Sequence, residues 1–215
     1  MQSETRKVWA GGIAAGLAAG FSASKSQATV IYTPLTVENG TVDAANPQVD
    51  IDFENDGSPP ISIDYDSTNG LTWQKQTELT FPEYIADPVN SSYVAALPFG
   101  ESIDSTGNFQ TTSPAFLNDT TSDSDFVASD PPSVQYIGVE FGTPMSADDY
   151  GWIGFEVTDD SSLADLSGIV TGYAYDDSGA PITAGAVPEP TSLALLAMGA
   201  AGLMAYRGRR RIVSR

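Results

Sequence analysis

Residues 150–157 read Tyr-Gly-Trp-Ile-Gly-Phe-Glu-Val, a run in which aromatic and β-branched side chains predominate. Such side chains fit a pleated, half-buried surface and favour strands. The run predicts a strand over Tyr150–Thr158, and the similar segments Val134–Phe141 and Ile169–Tyr175 predict two more. We therefore expect the last part of the domain to consist of three consecutive strands.

The upstream sequence alternates between apolar and polar residues with a period of two. In Gln48–Phe53 the apolar side chains stand at every second position, and Ile61–Tyr65 repeats the pattern. This alternation predicts strands with one buried and one solvated face. Further strands are predicted at Val30–Val37, Leu71–Trp73, Glu78–Phe81 and Tyr93–Leu97, whereas Gly100–Pro132 is predicted to be a long surface loop with at most one strand. Short strands separated by turn residues predict an all-β fold, an antiparallel β-sandwich or jelly-roll-like domain.

The charge of the chain is very unevenly distributed. Of nine basic residues in the chain, only Lys75 lies within residues 29–186, and that segment holds 26 of the 28 acidic residues, a net charge of −25. Nucleic-acid binding needs clustered Lys and Arg, so the composition excludes a nucleic-acid partner. It suits a domain that lives among divalent cations, neutral sugars or salt.

The chain contains no Cys and no His. This composition removes Ser-His-Asp triads, thiol catalysis, and zinc sites built from histidine or thiolate. Carboxylate pairs are the main remaining route to catalysis, and with 26 acids such pairs arise by chance. We therefore expect no enzymatic activity, with a carboxylate-dependent glycoside hydrolase as one alternative.

The N-terminus has the three parts of a secretory signal in the expected order. Arg6 and Lys7 precede an apolar run over Val8–Phe21, and a polar stretch then ends at Ala28. The small residues at 26 and 28 fit the pattern that signal peptidase reads. We predict a signal helix over 1–28 that is cleaved after Ala28, and therefore export.

The C-terminus also has three parts. Val187-Pro188-Glu189-Pro190 is followed by an apolar segment, Leu193–Tyr206, which we predict to be a transmembrane helix, and then by a basic cluster formed by Arg207, Arg209, Arg210 and Arg211. The prolines hold an extended backbone. The apolar segment partitions into the bilayer, and the arginines stay on the cytoplasmic side.

This ending resembles the PEP-CTERM sorting signal over residues 187–211, with residues 212–215 as a short tail. The resemblance implies processing by an exosortase, a membrane-embedded enzyme similar to a cysteine protease. The implied setting is a Gram-negative-type bacterium that makes exopolysaccharide or biofilm matrix. The protein would be anchored transiently through its C-terminal helix and then presented at the cell surface or released. A plain anchor helix without processing is the alternative.

The strands at 136–141, 150–157 and 172–177, followed directly by the sorting motif, resemble a recurring type of exported PEP-CTERM protein. The resemblance implies an exported domain of similar architecture, here residues 29–186, and it implies no particular activity.

One acidic stretch is a candidate metal site. Asp52, Glu54 and Asp56 alternate ahead of Gly57, and oxygen side chains two residues apart can converge on Ca²⁺. The stretch departs from the EF-hand, because Glu stands at the third position and Ile63 at the twelfth. An ordinary strand that ends in an Asp-Gly turn explains the same residues. Calcium is thus the one cofactor that the sequence suggests.

Trp73 and Trp152 are candidates for a sugar-stacking platform, with burial in the core as the competing interpretation. The whole sequence favours an exported, non-enzymatic component of the cell surface or matrix, associated with exopolysaccharide. A carbohydrate-binding or calcium-binding module is the alternative beside the hydrolase.

Overall fold

The computed structural model describes residues 30–53, 61–75, 82–121, 124–141, 149–188 and 199. It is 49% strand and 4% helix, and every pair of named strands is antiparallel, so the predicted all-β class is confirmed. The elements are β1 (Val30–Pro34), α1 (Val37–Gly40), β2 (Thr41–Val42), β3 (Gln48–Ile51), β4 (Ile61–Asp66), β5 (Gly70–Lys75), β6 (Glu83–Ile85), β7 (Ser102–Ile103), β8 (Phe109–Gln110), β9 (Ala115–Asn118), β10 (Gln135–Phe141), β11 (Asp149–Asp159), β12 (Ser167–Asp176) and β13 (Ile182–Thr183).

The larger sheet is organised around β11, the strand that contains the opening run. Its strand order is β1-β12-β11-β10-β6-β8, and β2 also pairs with β12. Both faces of β11 are buried at its centre: Ile153 and Phe155 belong to one hydrophobic cluster, and Tyr150 and Trp152 belong to another. Since successive side chains of a strand point to opposite faces, the larger sheet is covered on both sides.

A second sheet, in the order β3-β4-β5-β9, covers the first of these faces. The alternation seen in the sequence directs Ile51, Ile63 and Trp73 into the same cluster as Ile153 and Phe155. Aromatic contacts join the two sheets, including Trp73 to Tyr84 with ring centroids 5.0 Å apart and Phe53 to Phe141 at 4.7 Å. Apolar burial between these two sheets is therefore the main stabilising contribution of the fold.

A two-stranded ribbon, β7 with β13, covers the other face of the larger sheet. Its buried members Ile103, Ile182 and Ala184 share a cluster with Tyr150 and Trp152. Because β13 is the last strand before the C-terminal segment, the ribbon brings the end of the domain against the centre of the larger sheet.

Gly100–Pro132 was predicted to be a surface loop with at most one strand, and this prediction is wrong. The segment contains β7, β8 and β9, and four of its apolar side chains are essentially buried: Ile103, Ala115, Leu117 and Phe126. The apolar residues are widely spaced between polar ones, so the sequence has no periodic pattern that would predict strands this short. Their place in the core comes from tertiary packing rather than from local propensity.

The remaining strand predictions differ mainly at their ends. The first strand stops at Pro34 and is followed by the single turn α1, and Tyr93–Leu97 forms isolated bridges instead of a strand. The predicted strand Glu78–Phe81 lies outside the described residues. The signal helix over 1–28 and the transmembrane helix within 193–206 also lie outside them.

Candidate functional site

The predicted calcium ligands follow β3, and the structure describes only one of the three. Asp52 comes directly after the strand, and its backbone carbonyl accepts a hydrogen bond of 3.0 Å from the Tyr173 hydroxyl. Glu54 and Asp56 lie outside the described residues. Calcium binding by this stretch therefore stays a prediction. Within the described ranges, no three carboxylate, histidine or cysteine side chains form a group that could hold a metal ion.

Both candidate tryptophans are core residues. Trp73 is 0% exposed and Trp152 is 3% exposed, so neither can offer a ring face to a sugar. Among the large apolar side chains that are exposed in the described part of the chain, one is aromatic, Phe99 at 74%. A stacking platform built from the two tryptophans is therefore excluded.

Many aspartates of the domain hold turns through bonds from their side chains to nearby backbone amides. The Oδ1 atom of Asp43 accepts from the amides of Ala45 and Asn46 at 2.8 and 2.7 Å, and Asp66 does the same with the amides two and three residues on. The same pattern with the amide two residues on recurs at Asp87, Asp104, Asp119, Asp159 and Asp176. These are Asx turns. Part of the high acid content is therefore a structural requirement of the loops.

At Asp66 and Asp119 the hydrogen bonds also stabilise the charged form of the carboxylate. Backbone amides of Thr68 and Asn69 hold the pKa of Asp66 below its usual range. At Asp119, burial acts to raise the pKa, but bonds from Thr121, Tyr93 and Ser124 outweigh it, so the pKa is lowered. These groups therefore remain ionised throughout the neutral range.

Asp125 behaves in the opposite way. Burial raises its pKa, the neighbouring Asp87 carboxylate raises it further, and the backbone amide of Ala96 opposes both. Asp87 belongs to the loop at 87–90 and Asp125 to the segment at 124–126, so the packing of these two stretches brings two acidic side chains near each other.

The C-terminal end of the domain is held by a chain of specific contacts. The backbone of Ala184 bonds to Glu101 and Gly100 at 2.8 and 3.0 Å, which extends the pairing of β13 beyond the strand. Gly185 then adopts a positive φ of 78°, and a side chain there would lie 2.5 Å from the ring of Phe99. Glycine is required for both reasons: only it adopts this backbone conformation without strain, and only it leaves the space.

The indole of Trp152 fixes the next residue. Its Nε1 atom donates a hydrogen bond of 3.1 Å to the carbonyl oxygen of Ala186. The ring is itself held between Tyr136, in a T-shaped contact at 5.3 Å, and Tyr32 at 5.7 Å. Because the opening run places Trp152 on the ribbon side of β11, the strand that decides the fold also anchors the end of the domain.

The chain becomes exposed immediately after this anchor. Val187 is 50% exposed and Pro188 is also exposed, so the predicted motif begins at the surface of the folded domain. Glu189, Pro190, the apolar segment and the arginines 207 and 209–211 lie outside the described residues, as does Ala28. In the part of the chain that is described, no helix is long and apolar enough to span a bilayer.

Residues 186–211 match the family model of the PEP-CTERM protein-sorting motif. No curated protein and no solved structure matches the chain. The match begins at the residue that Trp152 holds and covers all three parts of the C-terminal segment. The chain therefore carries a PEP-CTERM sorting motif and is a protein that is exported, targeted to the cell envelope and sorted by an exosortase.

Proposed function

We propose that this protein is a non-enzymatic component of the cell surface or extracellular matrix, where it associates with exopolysaccharide. The single observation that carries the proposal is the sorting motif, which starts at Ala186, where the folded domain ends. The apolar segment anchors the chain in the membrane until the exosortase removes it, and signal peptidase removes residues 1–28. In this proposal the delivered domain is a β-sandwich, and the core that two antiparallel sheets share supports this architecture.

The acidity of the domain supports a matrix role. A net charge of −25 over residues 29–186 keeps copies of the domain apart and attracts cations. Neutral sugar chains are not repelled by such a surface, and divalent cations can link it to acidic sugars. The Asx turns use part of this charge internally, whereas other acidic residues, such as Glu101 and Asp177, are exposed at the surface.

Two alternatives have less support. A carbohydrate-binding module of the stacking type needs exposed aromatic rings, and both candidate tryptophans are buried. A glycoside hydrolase needs two carboxyl groups held at a defined separation across a cleft, and within the described residues no observation singles out such a pair. A calcium-binding role is compatible with the main proposal, since a matrix protein can use both.

The sorting step is tested by intact mass and cell fractionation of the native protein, in strains with and without the exosortase. We expect a surface or released form that begins near Thr29 and lacks the C-terminal tail, and we expect the tail to be retained in the deletion strain. Glu189→Gln should impair processing, whereas Glu101→Gln, the same change at an exposed position of the domain, should not. Intact protein in the cytoplasm of the wild-type strain would refute export.

The matrix association needs a separate test. Purified processed protein is incubated with exopolysaccharide from the same cells and then sedimented, in the absence and in the presence of about 2 mM Ca²⁺. This concentration is high enough to occupy calcium sites as weak as those of extracellular modules. Co-sedimentation supports the proposal. Protein that stays in the supernatant under both conditions would leave a sorted surface protein with no affinity for the polymer.

A further inference from the structure

The outer face of the four-stranded sheet, which points away from the core, carries a group of polar side chains in its middle. Asp50 on β3, Ser62 and Asp64 on β4, and Thr72 on β5 share this face, because their neighbours in sequence point into the core. We call these four residues the polar patch. In the register of the sheet Asp50 lies opposite Ser62, and Asp64 lies opposite Thr72.

Two oxygens of the polar patch are buried without a hydrogen-bond partner. Thr72 is 1% exposed, and its Oγ1 atom has no hydrogen-bond partner in the described part of the chain; the Oδ1 atom of Asp64 is likewise buried and unpaired there. A buried polar atom left unpaired costs about 1–3 kcal/mol. Two such oxygens on directly opposed residues indicate that a group that binds oxygen belongs between them.

The spacing of the two residues suits a cation. Opposed residues of antiparallel strands have Cβ atoms about 4.5–5.5 Å apart. Side-chain oxygens that project from such a pair can lie too far apart for a direct hydrogen bond and still both reach one Ca²⁺ ion, which binds oxygens at about 2.3–2.6 Å. Calcium also accepts irregular mixtures of carboxylate, hydroxyl and water ligands, whereas Mg²⁺ demands a near-ideal octahedron.

The electrostatics of the patch agree with this geometry. Burial raises the pKa of Asp64, the Ser62 hydroxyl opposes that rise, and the charge of Asp50 adds to it. The ionised Asp64 is therefore destabilised by its surroundings, and a bound cation would relieve both the burial and the repulsion from Asp50. The side-chain amide of Gln48 donates to Asp50 at 2.7 Å and so holds that carboxylate on the edge of the patch.

We propose that the polar patch is a calcium site in which Asp64 and Thr72 are the central ligands and Asp50 supplies a further carboxylate. The site differs from the stretch at 52–56 that the sequence suggests, and it does not depend on how the protein is sorted. Two carboxylates and one hydroxyl do not fill the roughly 6–8 oxygen positions around Ca²⁺, so water molecules complete the coordination.

The test is a calorimetric titration of the purified full chain with CaCl₂ at fixed ionic strength, together with thermal unfolding with and without Ca²⁺. We expect one saturable binding event. Thr72→Val, which keeps the shape and removes the hydroxyl, should weaken binding at least tenfold, and Asp64→Asn should abolish it. Asp177→Asn, which changes the charge equally at an exposed turn, should leave the affinity within twofold of the parent.

A second readout separates ligand loss from misfolding. Without metal, Thr72→Val and Asp64→Asn should unfold at the same temperature as the parent or higher, because each removes a buried unpaired oxygen or its charge. Equal Ca²⁺ stabilisation in all variants would mean general screening of charge and would overturn the site. Loss of binding in Asp52→Asn but not in Asp64→Asn would instead place calcium after β3, and no calcium heat in the parent would leave a buried water as the partner of the two oxygens.

Discussion

The anchor between Trp152 and Ala186 can be tested against a second tryptophan in the same core. Trp152→Phe keeps an aromatic ring but removes the indole N–H that donates to the Ala186 carbonyl oxygen. Trp73→Phe makes the same change at a site that is equally buried, where the Nε1 atom has no hydrogen-bond partner among the residues that the structure describes. Both variants lose similar packing volume, so their comparison isolates the hydrogen bond.

The expected difference follows from the two environments. A typical hydrogen bond contributes about 1 kcal/mol net to stability, and removing a buried unpaired N–H recovers about 1–3 kcal/mol. Trp152→Phe should therefore lower the free energy of unfolding by about 2–4 kcal/mol more than Trp73→Phe does. The extra loss should concentrate at the end of the domain, because Ala186 lies next to the exposed start of the sorting motif.

The assay is urea unfolding of the purified protein followed by far-ultraviolet circular dichroism, with hydrogen exchange read at the amides of Ala184 and Ala186. These amides bond to the carbonyl oxygens of Glu101 and Thr183 and should exchange faster in Trp152→Phe alone. Equal destabilisation by the two substitutions, with unchanged exchange at these amides, would refute the reasoning that the indole anchors the C-terminal end.

Three further outcomes are expected. Because the pKa of Asp125 is raised in the folded protein, the folded state loses stability as the pH rises above the usual value of 3.8. Asp125→Asn should therefore be more stable than the parent at pH 7, and this gain should vanish below about pH 3.8. Urea midpoints measured from pH 3 to 8 test both outcomes. Asp66 has a lowered pKa, so Asp66→Ala should be less stable than the parent at pH 7, with the difference disappearing as the pH falls through the lowered value; the same pH series measures it. Gly185→Ala should lower the free energy of unfolding by about 1–2 kcal/mol for its positive φ, and by a further amount for the clash with Phe99. Gly100→Ala, at φ 90° with open space around it, should cost the backbone strain alone. Thermal unfolding compares the two variants, and a larger loss of stability in Gly100→Ala would contradict this prediction.

Sequence patterns identified the elements that contain several apolar residues in register. In β3 and β4 the alternation of Val49, Ile51 and Ile63 with polar residues is complete within one segment, so a single sequence was enough to assign the buried face. The same holds for β10, β11 and β12, which are long and rich in β-branched and aromatic residues. Local pattern and tertiary burial agree there, and the strands were predicted with small errors at their ends.

The two-residue strands could not be predicted in this way. Ile103 in β7 and Ile182 in β13 are each a single apolar residue in a polar context, and they are strands only because they pair with each other across about 80 residues of chain. The sequence likewise gave no sign that Trp152 would bond to Ala186. The polar patch was not predictable either, because the pairing of Asp64 with Thr72 depends on the register of β4 and β5.

The sorting motif at the end of the chain was the most predictable feature. Its recognition depends on a linear order of residues and not on folding, and residues 186–211 match the family model. The structure adds what a linear motif cannot contain, namely that the first residue of the match is part of the folded domain.

In the proposed membrane-anchored form, the position of Ala186 would set the length of the tether between the domain and the bilayer. Six residues, 187–192, separate it from Leu193, where the apolar segment begins, and even when fully extended they span only about 20 Å. With the apolar segment in the bilayer, the β7–β13 ribbon would face the lipid headgroups, and the exosortase would have to work within this narrow gap. The four-stranded sheet lies on the opposite side of the larger sheet, so it would occupy the part of the domain that is farthest from the bilayer.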